Sequence, residues 1–370
     1  MKILLLTCST GEGHNSAARA FEKSLSERGV DCEIADPLDF RNEKAAKRAA
    51  TLYARTIKYT PQLFGAVYAA GKFYDALRLP NPVYRYNARC AAKLNDYIVK
   101  NEIDCVICTH LFAMHSVTAA RRKFALSVPL YGVLTDYTAI PFYKETALDG
   151  YFVSHDDVKR QLERAGIPPD RIFCTGIPVN PALSVEEDKN SVRDRLNIPR
   201  NKNVIAVLSG GAGCGKILKL CRALQKSADP QTEIYVFPAK NIKLQNKLKE
   251  KFCDCGNVKI IPFTNNMSDY LKSADLALSK AGGLTTSEIA TAGTPLVILK
   301  SIPGCETTNR KYFCKNGLAV YARTSRRAVR EAQRLLKDSD ARETMRKKQS
   351  ELVARDACEK ITDIILNGRI

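Results

Sequence analysis

Three glycine-rich turns hold most of the residues in this chain whose types and spacing could do chemistry. The first, STGEGHNSA, sets Gly11 and Gly13 ahead of a helical pattern, with His14 at the mouth of the turn. Glycines there let backbone amides approach a phosphate. Asp36, at the end of the next apolar run, stands where a dinucleotide fold holds a ribose hydroxyl. Ser16 takes the place of that fingerprint's third glycine, so the spacing admits a nicotinamide or flavin cofactor without requiring one. The second turn, LSGGAGCGKI, carries Gly210, Gly211, Gly215 and Lys216 and follows the phosphate-loop pattern up to its last position. There Ile217 replaces the Ser or Thr hydroxyl that would hold magnesium, which argues against ATP or GTP hydrolysis. What remains is a turn whose amides can approach a phosphate or another domain. In the third, SKAGGLTTSEIATAGTPLVIL, Gly282 and Gly283 follow a strand and Leu284 to Glu288 form the first turn of a helix. Unpaired amides and the positive end of the helix dipole suit a diphosphate there, and Thr285 and Thr286 can add hydroxyl donors. Glu288, one turn in, can either reach the vicinal hydroxyls of a ribose or serve as a capping residue.

These turns need strands and helices to hold them. Short apolar runs such as KILLLTC, CEIADP, CVICTH and LYGVLTD alternate with helical stretches in the first half, and NVIAVLSGG, EIYVFPA, VKIIPF, LALSKAGG and PLVILKS repeat the plan in the second. This alternation predicts two α/β domains with parallel sheets, in line with a length of 370 residues. The polar, proline-flanked stretch NPALSVEEDKNSVRDRLNIPRNKN between them reads as a hinge or linker, and the tail from about Arg326 as charged helix. Charge and glycine follow MKILLL within a few residues and no small-residue cleavage site ends a proper apolar region, so it reads as a buried first strand rather than a signal. No apolar run approaches the ~20 residues that span a bilayer.

Thirteen scattered cysteines without an export signal point to reduced thiols in the cytosol. Cys105 and Cys108 form the one CxxC, but on a strand residues three apart face opposite ways, so the pair reads as buried structural thiols. The formal charge of +19 calls for an anionic partner. Residues 41–100 hold twelve Lys/Arg against three Asp/Glu, interleaved with Tyr53, Tyr59, Phe64, Tyr68, Phe73, Tyr74, Tyr84 and Tyr86. Such a segment can dock on an anionic membrane, bind nucleic acid, or be a helical insertion with solvated charges. His110, His115 and His155 lack metal-pair spacing and read as core, cap or surface residues; Asp338 and Asp340 in KDSDAR read as a solvated turn or cap.

GEGH near the start, then LTDY, TGIPV, SGGAG, KAGGLTTSE and PGCETTN, in that order, resemble glycosyltransferase family 28 over nearly the whole chain. The resemblance is to the monogalactosyldiacylglycerol synthases and the processive diacylglycerol glucosyltransferases of bacteria. It implies a GT-B fold, two Rossmann-like domains facing across a cleft. Residues 1–180 would bind the acceptor and dock on the membrane; residues 181–370 would bind the UDP-sugar and end in the charged tail. On this analogy Phe263 lies beside uracil, Glu288 holds the ribose, Gly13, Gly211 and Gly282 to Thr286 meet the donor, and Glu306 and Asn309 contact the sugar. His14 would be the base in an inverting transfer, a role for which a neutral imidazole is suited, with a phosphate hydrogen bond as its alternative. Asp136, at a strand end, would orient the acceptor or His14, or cap a turn. Helix-terminal amides would meet the leaving diphosphate, so no metal or other cofactor is required.

The sequence departs from the family where Cys305 stands for Gln, and where Ile140 and Tyr143 stand for His and Trp. The expected function is hexose transfer from a UDP-sugar to a lipid hydroxyl, most simply that of diacylglycerol. The expected location is cytoplasmic, peripheral on the inner face of the cell membrane, without nucleic acid as partner. The alternatives are N-acetylglucosamine transfer to a lipid carrier or other acceptor, a non-catalytic nucleotide- or nucleic-acid-binding protein, and a nicotinamide-dependent oxidoreductase.

Overall fold

A computed structural model describes residues 1–8, 12–40, 51, 69–71, 73–74, 81–210 and 216–368. Gly11, Gly211, Gly215 and most of the basic segment before residue 81 lie outside the described residues. The chain divides into two compact units. The first comprises Met1–Pro181, Pro303–Cys305 and Asp356–Ile370, and the second Ala182–Ile302 and Glu306–Arg355. The sequence reading kept the whole tail in the second domain, whereas its last stretch belongs to the first unit.

Unit 1 carries a parallel sheet of β1 (Lys2–Leu6), β2 (Asp31–Ala35), β3 (Cys105–Cys108), β4 (Leu130–Val133), β5 (Gly150–Val153) and β6 (Ile172–Cys174), in the order β2-β1-β3-β4-β5-β6. The inner strands β1, β3, β4 and β5 are buried on both faces, which is why they read as continuous apolar runs. Leu4, Leu6, Val106 and Cys108 enter one core, and Ile3, Leu5, Cys105 and Ile107 the other. Cys105 and Cys108 therefore do face opposite ways, and burial raises both thiols far above their ordinary value. The described helices are α1 (Glu12–Ser26), α2 (Pro82–Asn87), α3 (Ala91–Lys100), α4 (Leu111–Phe124) and α5 (Asp156–Arg164).

Unit 2 carries β7 (Asn203–Leu208), β8 (Thr232–Phe237), β9 (Val258–Ile260), β10 (Leu276–Ser279), β11 (Leu296–Leu299) and β12 (Val320–Ala322), in the order β12-β11-β10-β7-β8-β9. Around it lie α6 (Lys189–Arg195), α7 (Ile217–Ser227), α8 (Ile242–Lys251), α9 (Met267–Ser273), α10 (Gly283–Thr291), α11 (Cys305–Lys315), α12 (Ser325–Lys337) and α13 (Ser339–Leu352). The final helix, α14 (Ala357–Leu366), returns to unit 1, where Ile361 and Ile365, one turn apart, join the core formed by Ile3, Leu5 and Phe21. Among the described residues no helix is long and apolar enough to cross a membrane.

The stretch read as a hinge contains α6, which is anchored to unit 2. Arg193, only 4% exposed, donates to the carbonyls of Ser273, Arg200 and Lys202 and to Asp275. Asp275 also accepts from Lys189 and from the Val204 amide. A polar composition hid this cluster, because local sequence does not reveal that a guanidinium finds buried partners. Asp338, half of the DxD, caps α13 by accepting from the Ala341 amide, as a turn or cap residue should.

Candidate active site

In each sheet the chain reverses its winding direction at one pair of neighbouring strands, β1 and β3 in unit 1 and β7 and β10 in unit 2. Ligand crevices of doubly wound sheets open beyond the carboxyl ends of such strands. His14 lies in the first turn of α1, the helix that follows β1. Its Nδ1 is 2.8 Å from the carbonyl oxygen of Thr109, which directly follows β3, and 2.8 Å from Oγ1 of Thr135, just past β4. A carbonyl can only accept, so the proton sits on Nδ1 and the basic lone pair on Nε2. In return the Thr109 hydroxyl donates to the His14 carbonyl, while the Thr7 hydroxyl donates to Asn15. His110 stands edge-on to His14, with ring centroids 4.5 Å apart.

Burial lowers His14 from the usual 6.5 to about 4, against the pull of the Thr109 carbonyl. The imidazole is therefore neutral at physiological pH. Asp136 is half-buried one residue beyond Thr135, and its carbonyl accepts from Ser154. Asp36, the acid of the near-dinucleotide pattern, is buried and closes a local turn by accepting from the Leu38 amide. His110 and His155 cap α4 and α5 through Nδ1, and His115 is fully buried, in keeping with the core and cap readings.

In unit 2, α10 begins at the glycine turn after β10, with Gly282 as N-cap. Its first intrahelical bond runs from the Thr286 amide to the Gly282 carbonyl, which leaves the amides of Gly283, Leu284 and Thr285 ahead of the ladder. Gly282, Thr285 and Glu288 are half-buried and recur every three residues; Gly283, Leu284, Thr286 and Ser287 are buried. The expectation of a hydroxyl donor at Thr286 is corrected: its Oγ1 is fully buried and donates back to the Gly282 and Gly283 carbonyls. Asn309 is also fully buried, and its amide donates to the Ala281 carbonyl, so it braces the glycine turn from behind. Glu306 accepts from the Ile302 amide and closes the turn that opens α11. Phe263 is 51% exposed just past β9, with the Lys240 ammonium 5.2 Å from its ring centre.

Sequence reasoning missed Lys280. It directly follows β10 and is 9% exposed. A Cβ on Gly210, past the neighbouring β7, would lie 3.2 Å from its Cε, and Gly210 itself has φ +72°. The positive φ favours glycine there, and the close approach puts the Lys280 side chain at the winding reversal of this sheet. Thr109, Thr135 and Lys280 share one signal, a polar residue just after an apolar strand, but only the strand order brings them to a site. A cavity of about 680 Å³, lined by Thr291, Arg346 and Arg355 among others, lies at the opposite end of α10 and includes none of these residues.

Residues 14–179 match the family described as monogalactosyldiacylglycerol (MGDG) synthase. A processive diacylglycerol beta-glucosyltransferase of Bacillus cereus is 25% identical over 372 residues, 99% of this chain and 93% of that protein. The chain is a diacylglycerol glycosyltransferase-like member of glycosyltransferase family 28. Residues 147–366, more than half of it, match the UDP-N-acetylglucosamine 2-epimerase model, so this glycosyltransferase belongs to that family as well. MurG of Acinetobacter baumannii superposes with TM-score 0.62 at 17% identity, covering 99% of both chains. A UDP-GlcNAc 2-epimerase of Neisseria meningitidis, solved with UDP-GlcNAc, superposes with TM-score 0.62 at 15% identity, covering 99% of this chain and 100% of that one. These likenesses show a two-domain GT-B fold for the glycosyltransferase.

Proposed function

We propose that this glycosyltransferase moves a hexose from a UDP-sugar to the hydroxyl of a diacylglycerol-type lipid, with inversion at the anomeric carbon. The observation that carries the reading is the His14 imidazole, held through Nδ1 so that Nε2 is the basic atom. The acceptor hydroxyl attacks the anomeric carbon and its proton passes to Nε2. The new carbon–oxygen bond forms as the bond to the diphosphate breaks, and UDP departs with the electron pair. The names of the full-length relatives support the acceptor class.

The exposed Phe263 ring suits stacking on uracil, and Glu288 suits the ribose hydroxyls. The leading amides of α10, with Lys280, suit the diphosphate. Because these groups supply positive potential, the reading includes no metal, and EDTA is expected to leave turnover unchanged. The basic stretch of residues 41–100 supports peripheral attachment to an anionic membrane, the protein acting from the cytoplasmic side.

The test is transfer of labelled sugar from UDP-glucose, UDP-galactose or UDP-N-acetylglucosamine to diacylglycerol in anionic vesicles. A β-linked lipid product from one donor is expected; no lipid product from any donor overturns the reading. The match of residues 147–366 to the epimerase model favours a second reading, epimerisation of the UDP-sugar. Conversion of UDP-N-acetylglucosamine without any acceptor would select it.

Two substitutions probe the donor side. Glu288→Gln removes a charged hydrogen-bond acceptor worth about 1.5–3 kcal/mol, so UDP binding by calorimetry should weaken roughly 10- to 100-fold. Lys280→Met removes the cation facing the charge that develops on the leaving diphosphate. It should lower kcat about 10²-fold with a smaller change in KM, as steady-state kinetics would show.

A further inference from the structure

Helices α7, α8 and α12 lie side by side over one face of the second sheet, sharing one core through Leu220, Leu224, Leu248, Ala332 and Leu335. Their outer sides are almost purely cationic. α7 carries three Lys/Arg and no acid, α8 four against Glu250, and α12 five against Glu331. Every one of these cations is exposed, including Lys219, Arg222 and Lys226, which recur at three- and four-residue spacing along α7. Glu331 is only 14% exposed, and its one charge is shared among Arg327, Arg330 and Arg334. Lys219, Arg222 and Lys226 form no ion pair among the described residues, and all three are exposed.

We propose that this three-helix face of unit 2 is a docking surface for an anionic lipid bilayer, separate from the basic stretch of residues 41–100. Packed helices are about 8–10 Å apart, so three of them present a broad charged face rather than a pocket for one anion. That breadth complements a laterally diffuse negative surface. The helices contain no Phe, Tyr or Trp, so they offer no platform on which unpaired bases could stack, which favours lipid over single-stranded nucleic acid. Ile242, 60% exposed at the start of α8, adds an aliphatic side chain to the same surface. The choice of a bilayer leans on the lipid acceptor proposed above, but docking itself needs neither donor nor acceptor.

The experiment uses the full chain and sedimentation with vesicles of phosphatidylcholine alone or mixed with phosphatidylglycerol, without UDP-sugar or diacylglycerol. Each cation near an anionic leaflet contributes roughly a fivefold factor in partitioning. The triple variant Lys219→Glu, Arg222→Glu, Lys226→Glu is expected to lose at least about tenfold in binding to the phosphatidylglycerol vesicles at low salt. Arg330→Glu on the neighbouring helix is expected to give a smaller loss of the same kind. Melting temperature and turnover on detergent-dispersed acceptor should be retained, since none of these residues is among those assigned to the donor, the acceptor or the base.

A folded triple variant that binds anionic vesicles within twofold of the parent overturns the proposal. So does an equal loss on neutral vesicles, or a loss confined to duplex RNA. If no donor gives a lipid product but the stripe still governs vesicle binding, the proposed reaction fails while the docking surface stands.

Discussion

Replacing His14 by Ala is expected to lower kcat by about 10²–10⁴-fold while the protein remains folded and binds UDP. The group lost is the Nε2 lone pair, made available by the bond between Nδ1–H and the Thr109 carbonyl. The pH profile separates this base from an ordinary histidine. Burial holds His14 at about 4 rather than 6.5, so the active, unprotonated form is present throughout pH 5–8. kcat/KM should therefore show no inflection from this group near 6.5 and should fall only toward pH 4. A clear loss of rate between pH 7 and 6 that disappears in His14→Gln would contradict the buried imidazole. The same burial links His14 to stability. Its folded-state value is depressed, so the unfolded chain takes up the proton first; the contribution is present above pH 6.5 and is lost as pH falls toward 4. His115, lowered to about 4 mainly by burial, acts in the same direction.

Asp275→Asn is expected to destabilise unit 2 by about 3–5 kcal/mol, the usual cost of leaving a buried charge without its partner. Burial alone would raise the Asp275 carboxyl. Lys189, the Val204 amide and Arg193 outweigh it and hold the group below the ordinary carboxylate value. Burial also lowers Lys189, against the pull of the carboxylate beside it, and the carboxylate is held by Lys189 and Arg193 together. The mutant would strand the guanidinium among the carbonyls of Ser273, Arg200 and Lys202. Urea unfolding followed by far-ultraviolet circular dichroism reads the shift, and it should far exceed that of Arg200→Ala, whose ion pair with Asp194 is exposed. Equal shifts would mean that the buried cluster adds nothing. The carboxylate's contribution should persist above pH 3.8 and be lost only as pH falls below it, because its folded-state value is depressed.

The alternation of apolar strands, glycine turns and amphipathic helices was legible in the sequence, because burial on both faces of a parallel sheet leaves continuous apolar runs such as KILLL and CVIC. So were the starts of α1 and α10, since glycines ahead of a helical pattern have local backbone reasons to be there. Motif order carried the family, and strand geometry alone put Cys105 and Cys108 on opposite faces. Other features depended on which distant atoms meet. Sheet order joins His14 to Thr109 and Thr135 and thereby fixes its tautomer, and it brings Lys280 beside Gly210. Helix packing turned the Thr286 hydroxyl and the Asn309 amide inward, although the residue type of the first and the family resemblance of the second had suggested ligand contacts. It also buried Arg193 in a stretch whose polarity suggested a linker, and carried Ile361 and Ile365 to the first unit's core. Periodicity reports how often a chain is buried, which is a local property. A polar atom's partner depends on strand order and helix packing, which only the folded chain decides.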